Sequence, residues 1–87
     1  MTKHERKEKA YATVKAFIRC YKDDLKYATY EGIGRNKAFI EGMIAGFNYV
    51  EIITDEERTD WLQEIYSDFS NMIYEKEIED MKEKKQE

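Results

Sequence analysis

With 87 residues and a net charge of −4, the chain has room for one small domain. Hydrophobic residues make up 41% of it and charged residues 39%, which fits a folded, soluble domain better than a disordered segment; the absence of proline and the supply of only four glycines argue against a many-stranded fold with frequent turns. No apolar run approaches the roughly 20 residues of a membrane span, the opening residues lack a signal peptide's apolar stretch, and one cysteine, Cys20, excludes an intramolecular disulfide. A cytoplasmic all-α domain spanning residues 1–87 is expected.

Helix 1 is expected over about residues 4–30. At 100° per residue, Tyr11, Val14, Phe17, Ile18, Tyr21, Leu25 and Ala28 fall on one side, and Lys15, Arg19, Lys22 and Lys26 form a basic strip beside them. The paired glycines of Glu31-Gly32-Ile33-Gly34 tolerate the positive φ that ends a helix, so a break is expected there. Helix 2, over about 35–51, is apolar nearly all round. Phe39, Ile40, Met43, Ile44, Phe47 and Val50 make a bulky face, and Ala38, Gly42, Ala45 and Gly46 a small one. Lys37, Glu41 and Asn48 leave only a narrow wet edge, which predicts burial on two sides.

Thr54-Asp55-Glu56-Glu57 has the form of a capping box, with Thr54 at the cap and Glu57 three residues on. Helix 3 is expected over about 55–82, with a frayed tail at 83–87. It would pack through Leu62, Ile65, Tyr66, Phe69, Met72 and Ile73. Tyr74, Ile78 and Met81 then point away from that stripe, as a second seam for a partner or a short coiled coil. The expected architecture is a compact three-helix bundle with long N- and C-terminal helices around an apolar central helix, thin enough in stability to favour self-association.

Chemistry is poorly provided for. His4 sits in a charged terminal segment without an orienting partner, Cys20 lies off the main apolar face, and no His or second Cys joins Glu56, Asp60 and Glu64 as a metal set. Gly32-Ile33-Gly34 lacks the third glycine and preceding strand of a phosphate loop. A non-enzymatic protein needing no cofactor or metal is expected, and its function must lie in binding.

Four surfaces are candidates. Gly42 and Gly46 form a small-xxx-small pair, which serves either internal packing or a symmetric homodimer contact. The strip Lys15, Arg19, Lys22 and Lys26 would suit phosphates, although the acidic balance opposes nucleic-acid binding; Glu31 and Glu41 also spoil a helix-turn-helix reading. Glu57, Asp60, Glu64 and Asp68 fall on one side of helix 3 beside Trp61, and an aromatic rimmed by charge resembles a protein-binding hot spot. Tyr74, Ile78 and Met81 are the fourth.

Charge is unevenly spread. Residues 1–26 carry eight basic and four acidic side chains, whereas residues 51–87 carry five basic and thirteen acidic. Such polarity implies either attraction between the two ends or two faces offered to different partners.

The stretch Phe39-Ile-Glu-Gly-Met-Ile-Ala-Gly-Phe through Ile52-Ile-Thr-Asp-Glu-Glu to Trp61-Leu-Gln-Glu-Ile65 resembles small helical proteins of phages and mobile elements of Gram-positive bacteria. In these a glycine-bearing helix runs into an acidic cap and a further helix. Some such proteins are anti-CRISPR or other anti-defence inhibitors, which act by binding a host effector. The resemblance covers about a third of the chain. It implies an inhibitor that binds a host effector; the residue pattern itself makes the acidic strip, with Trp61, the surface expected to engage a basic groove on a host nuclease or nucleoprotein. The alternatives are a nucleic-acid-binding regulator using the basic strip and a structural oligomerisation module.

Overall fold

The computed structural model describes residues 1–86, without side-chain detail at 85 and 86. Three α-helices and one short 3-10 turn account for almost all of it: α1 (Lys3–Asp23), the turn Leu25–Tyr27, α2 (Tyr30–Tyr49) and α3 (Asp55–Gln86). No strand occurs among the described residues, so the all-α, three-helix expectation holds.

Each helix starts on a threonine. Thr2 accepts from the Glu5 backbone N–H at 3.1 Å while Glu5 returns to the Thr2 N–H, a complete capping box. Thr54 and Glu57 make the same reciprocal pair at 3.1 and 3.0 Å. Thr29 caps α2 by accepting from the Gly32 N–H at 2.9 Å. This last cap corrects the expected break. Gly32 and Gly34 lie inside the first turns of α2, and no glycine has positive φ. Helix 1 therefore stops at Asp23, seven residues before its expected end, and the chain turns through Leu25–Tyr27.

The left-handed residue comes elsewhere. At the end of α2 the Glu51 and Ile52 N–H groups bond back to the Asn48 and Phe47 carbonyls, at 3.0 and 2.9 Å, around Glu51 at φ 63°. This is the geometry that glycine ordinarily supplies after a helix. Asn48, expected only on a wet edge, fastens the same corner by donating to the Ile53 carbonyl at 3.2 Å and to Asp55 at 3.0 Å.

The core runs along one side of each helix. Val14 and Ile18 from α1, Ile33, Ile40 and Ile44 from α2, and Ile65, Phe69 and Met72 from α3 are all at most 3% exposed. Leu25 closes one end from the 3-10 turn, and Ile53 plugs the other from the α2–α3 corner. α3 extends to Gln86, so the expected fraying over 83–87 gives way to helix as far as residue 86; Glu87 lies outside the described residues. Its 32 residues span about 48 Å at 1.5 Å per residue, which accounts for an elongated shape of 55 × 20 × 16 Å. No described helix is long and apolar enough to cross a membrane.

α2 is not enclosed. Its isoleucines face α1 and α3, but the opposite side stands in solvent: Ala38, Gly42, Gly46, Tyr49 and Val50 are exposed, and Phe39 is 52% exposed. Burial on two sides was the wrong inference from a greasy helix. With only three helices there is no fourth layer to cover it.

Candidate functional site

The acidic strip of α3 is turned onto α1. Lys15 Nζ lies 3.0 Å from Glu64 Oε1 and 2.8 Å from Asp68 Oδ2, and Lys22 adds a looser contact to Asp68 at 3.7 Å. Lys7 holds Glu57 at 2.8 Å, and the Tyr11 hydroxyl donates to Glu64. Partial burial pushes Glu64 upward in pKa, but hydrogen bonds from Tyr11 and Lys15, with the lysine's charge, outweigh it and hold the carboxyl below its ordinary value. The hydrogen bond from Lys7 and the backbone bond from Thr54 bring Glu57 down to about 2.

An outward negative ridge is therefore corrected to an interhelical zipper. Of the expected partner-binding residues, Glu57, Glu64 and Asp68 are engaged internally; Asp60 alone of the four carboxylates is exposed without an ion pair among the described residues. Trp61 is half-buried, edge-on to Tyr11 at 5.3 Å between ring centres, and seals α1 to α3. The basic strip is depleted in the same way. Lys15 and Lys22 serve the zipper, which leaves Arg19 and Lys26 exposed, and Lys26 shares its groove with the carboxylates Glu75, Glu79 and Glu83 as well as with Lys76 and Lys82. Three of the eight basic residues of the N-terminal segment, Lys7, Lys15 and Lys22, are thus paired with acidic residues of α3 within one molecule.

Two tyrosine–carboxylate bonds join α2 to α3. Tyr66 of α3 donates to Glu41 of α2 at 3.1 Å, with Lys37 4.8 Å from its ring centre. Tyr30 of α2 donates to Asp80 of α3 at 3.0 Å, with Lys76 5.4 Å from its ring centre. The second half of α3 is thus tied to the start of α2. Of the expected tail seam, Tyr74 and Met81 are exposed, 64% and 59%, while Ile78 is half-buried in a groove it lines with Leu25 and Lys26. The seam is broken, since its middle residue already has cover.

The open face of α2 is the most coherent surface left. From Ala38 to Val50 its outward positions carry no charge. Gly42 and Gly46 form its floor, and a Cβ added at either would meet nothing within 4 Å. Internal packing therefore does not explain them, although each costs the helix up to about 1 kcal/mol against alanine. Phe39 and Tyr49 flank the glycines, and Phe17 of α1 continues the apolar surface, its ring centre 5.4 Å from that of Phe39. Phe17, Phe39, Tyr49 and Val50 had been assigned to the core or left unplaced by the sequence pattern. The signal that marked the face was the glycine pair itself.

Cys20 is exposed, His4 contacts only Glu8 on its own helix at 2.7 Å, and no group of three or more His, Cys, Asp or Glu side chains arranged to hold a metal occurs among the described residues. In comparisons with known proteins, no family model, no curated protein and no solved structure matches this chain.

Proposed function

We propose that this protein is a non-enzymatic protein-binding module whose contact surface is the outer face of α2. One observation carries this reading: a helix face free of charge over Ala38–Val50, floored by two glycines with no neighbour and flanked by exposed Phe39 and Tyr49. Isolated exposed apolar side chains are ordinary on a small protein, but a contiguous apolar patch with a backbone-level furrow is a place for another helix. An anti-CRISPR-like inhibitor using an acidic ridge would have to draw Glu57, Glu64 and Asp68 away from Lys7, Lys15 and Lys22. We therefore place the contact on α2 rather than α3. Nucleic-acid binding through Lys15 and Lys22 meets the same obstacle.

The test is capture of a protein partner from the source cell with three purified forms. The unaltered chain and a variant with Asp60→Lys should capture equally, and Phe39→Glu should capture nothing. Equal capture by Phe39→Glu would overturn the assignment of the face.

A further inference from the structure

We infer that the occupant of the α2 face is a second copy of this chain, docked antiparallel about a two-fold axis beside Ile44. This inference rests on the face assigned above and names its partner. The face is self-complementary under that operation. An antiparallel pair centred level with residue 44 sets residue i against residue 88 − i, so Gly42 meets the partner copy's glycine 46, Phe39 meets its tyrosine 49, and Ala38 meets its valine 50. Val50 lies over a small side chain, the Phe39 and tyrosine rings lie against each other, and the glycine floors let the two helices approach closely.

Charge selects the direction. The N-terminal end of the face carries Arg35, held only by the exposed Glu31 one turn earlier at 2.9 Å. The C-terminal end carries Glu51, which is exposed and makes no ion pair among the described residues. Lys3 and Arg6 of α1 line the surface of that corner without an ion pair to Glu51 among the described residues. Antiparallel docking brings Arg35 of each copy toward Glu51 of the other, whereas parallel docking would set the unpaired Glu51 of one copy against its own counterpart. The helix dipoles favour the same choice.

The area is sufficient for a small interface. Phe17, Phe39, Tyr49 and Val50 are 37%, 52%, 88% and 60% exposed. At ~150–250 Å² per aromatic side chain, and less for valine, they leave roughly 400 Å² per copy. Two copies contribute ~800 Å² from these side chains alone, and the furrow and rim bring the total toward the ~1,200 Å² of the smaller specific interfaces.

Analytical ultracentrifugation of the full chain, from micromolar to submillimolar concentration, should show reversible conversion to twice the monomer mass. Gly46→Leu and Phe39→Glu should each weaken association at least about tenfold with helicity unchanged, because neither side chain fills the core. Arg35→Glu and Glu51→Arg should each weaken it, and combining them should restore it. A chain monomeric throughout overturns the inference and leaves the proposed function standing if Phe39→Glu still abolishes capture of a different protein. A dimer indifferent to Gly46→Leu and Phe39→Glu overturns it too, and places the contact elsewhere. Failure of the paired charge variants to restore association overturns the antiparallel register.

Discussion

Replacing Lys15 by methionine tests whether the charge zipper holds α1 to α3. Methionine keeps most of the aliphatic stem, so the change isolates the ammonium from the packing beneath it. In the folded protein the Lys15 side chain is 29% exposed, and its ammonium bridges the side chains of Glu64, 41% exposed, and Asp68, 16% exposed, at 3.0 and 2.8 Å. Fully exposed pairs contribute ~0.2–1 kcal/mol and hydrogen bonds to charged groups ~1.5–3 kcal/mol. Two bonds from a partly screened lysine therefore sit between these limits, at about 2 kcal/mol in total. Without Lys15 the two carboxylates repel across one helical turn, leaving Tyr11 as the remaining donor to Glu64 and the looser Lys22 for Asp68. For a chain this short, about 2 kcal/mol lowers Tm by roughly 8–16 °C. The sign with pH follows from Glu64. Its folded pKa lies below the ordinary 4.5, so its stabilising contribution is complete above that value and is lost as pH falls through the folded pKa. The deficit of the variant should thus be largest near neutrality and shrink as pH falls below the ordinary 4.5. Urea unfolding of both proteins across that range measures it. A deficit under about 0.5 kcal/mol, or one that does not change with pH, refutes the zipper as a source of stability.

Glu57, held at about 2 by Lys7 and Thr54, should make the native protein lose stability as pH falls from 4.5 toward 2, and Glu57→Gln should flatten that part of the urea-unfolding profile. Glu51→Gly, at φ 63°, should raise stability by about 1 kcal/mol, read as a Tm increase of roughly 4–8 °C at concentrations where the chain is monomeric. Thr29→Ala should cost about 1 kcal/mol in thermal unfolding through loss of the α2 cap, whereas Gly34→Ala should stabilise, because nothing lies within 4 Å of the added methyl group. Ile44→Ala, at a position with 0% exposure, should cost ~2–5 kcal/mol and leave little cooperative unfolding to measure.

Helix number, helix type and most of the core could be read from apolar spacing. Val14, Ile18, Ile40, Ile44, Ile65, Phe69 and Met72 repeat at helical intervals and are buried as their pattern requires. The Thr54 cap was equally legible, because a capping box is a local interaction between residues three apart. The start of α2 was not. Two glycines suggest a break, yet the cap is Thr29, and its hydrogen bond to Gly32 together with the burial of Ile33 offsets a propensity cost of up to about 1 kcal/mol per glycine. Ile53 escaped notice because a corner residue has no periodicity to betray it; it is buried through the pairing of Asn48 with its carbonyl. The direction in which the acidic strip faces was hidden for a different reason. A sequence shows that carboxylates share a side of a helix, but whether that side meets solvent or lysines depends on rotation of the whole helix. Here the rotation is set by Ile65, Phe69 and Met72, and it brings Glu64 and Asp68 to Lys15.

That rotation also decides what is left to bind. With α1 and α3 joined through their charges, α2 is the helix whose back remains bare, uncharged from Ala38 to Val50, and its position along the rod gives a dimer a recognisable shape. Tyr66 of α3 reaches Glu41 and Tyr30 reaches Asp80, so α2 runs antiparallel to α3, with residue 44 level with about residue 63. From that level α3 runs about 34 Å to Gln86 but only about 12 Å back to Asp55. The proposed two-fold axis is therefore far off-centre. An antiparallel pair sends the two long arms in opposite directions and should span about 65–70 Å, depending on the crossing angle. A parallel pair lays the arms side by side and stays near the 55 Å of one copy. Small-angle X-ray scattering at concentrations where the dimer dominates separates these lengths. A maximum dimension near 55 Å at twice the monomer mass would exclude the antiparallel arrangement even if every α2 variant weakened association.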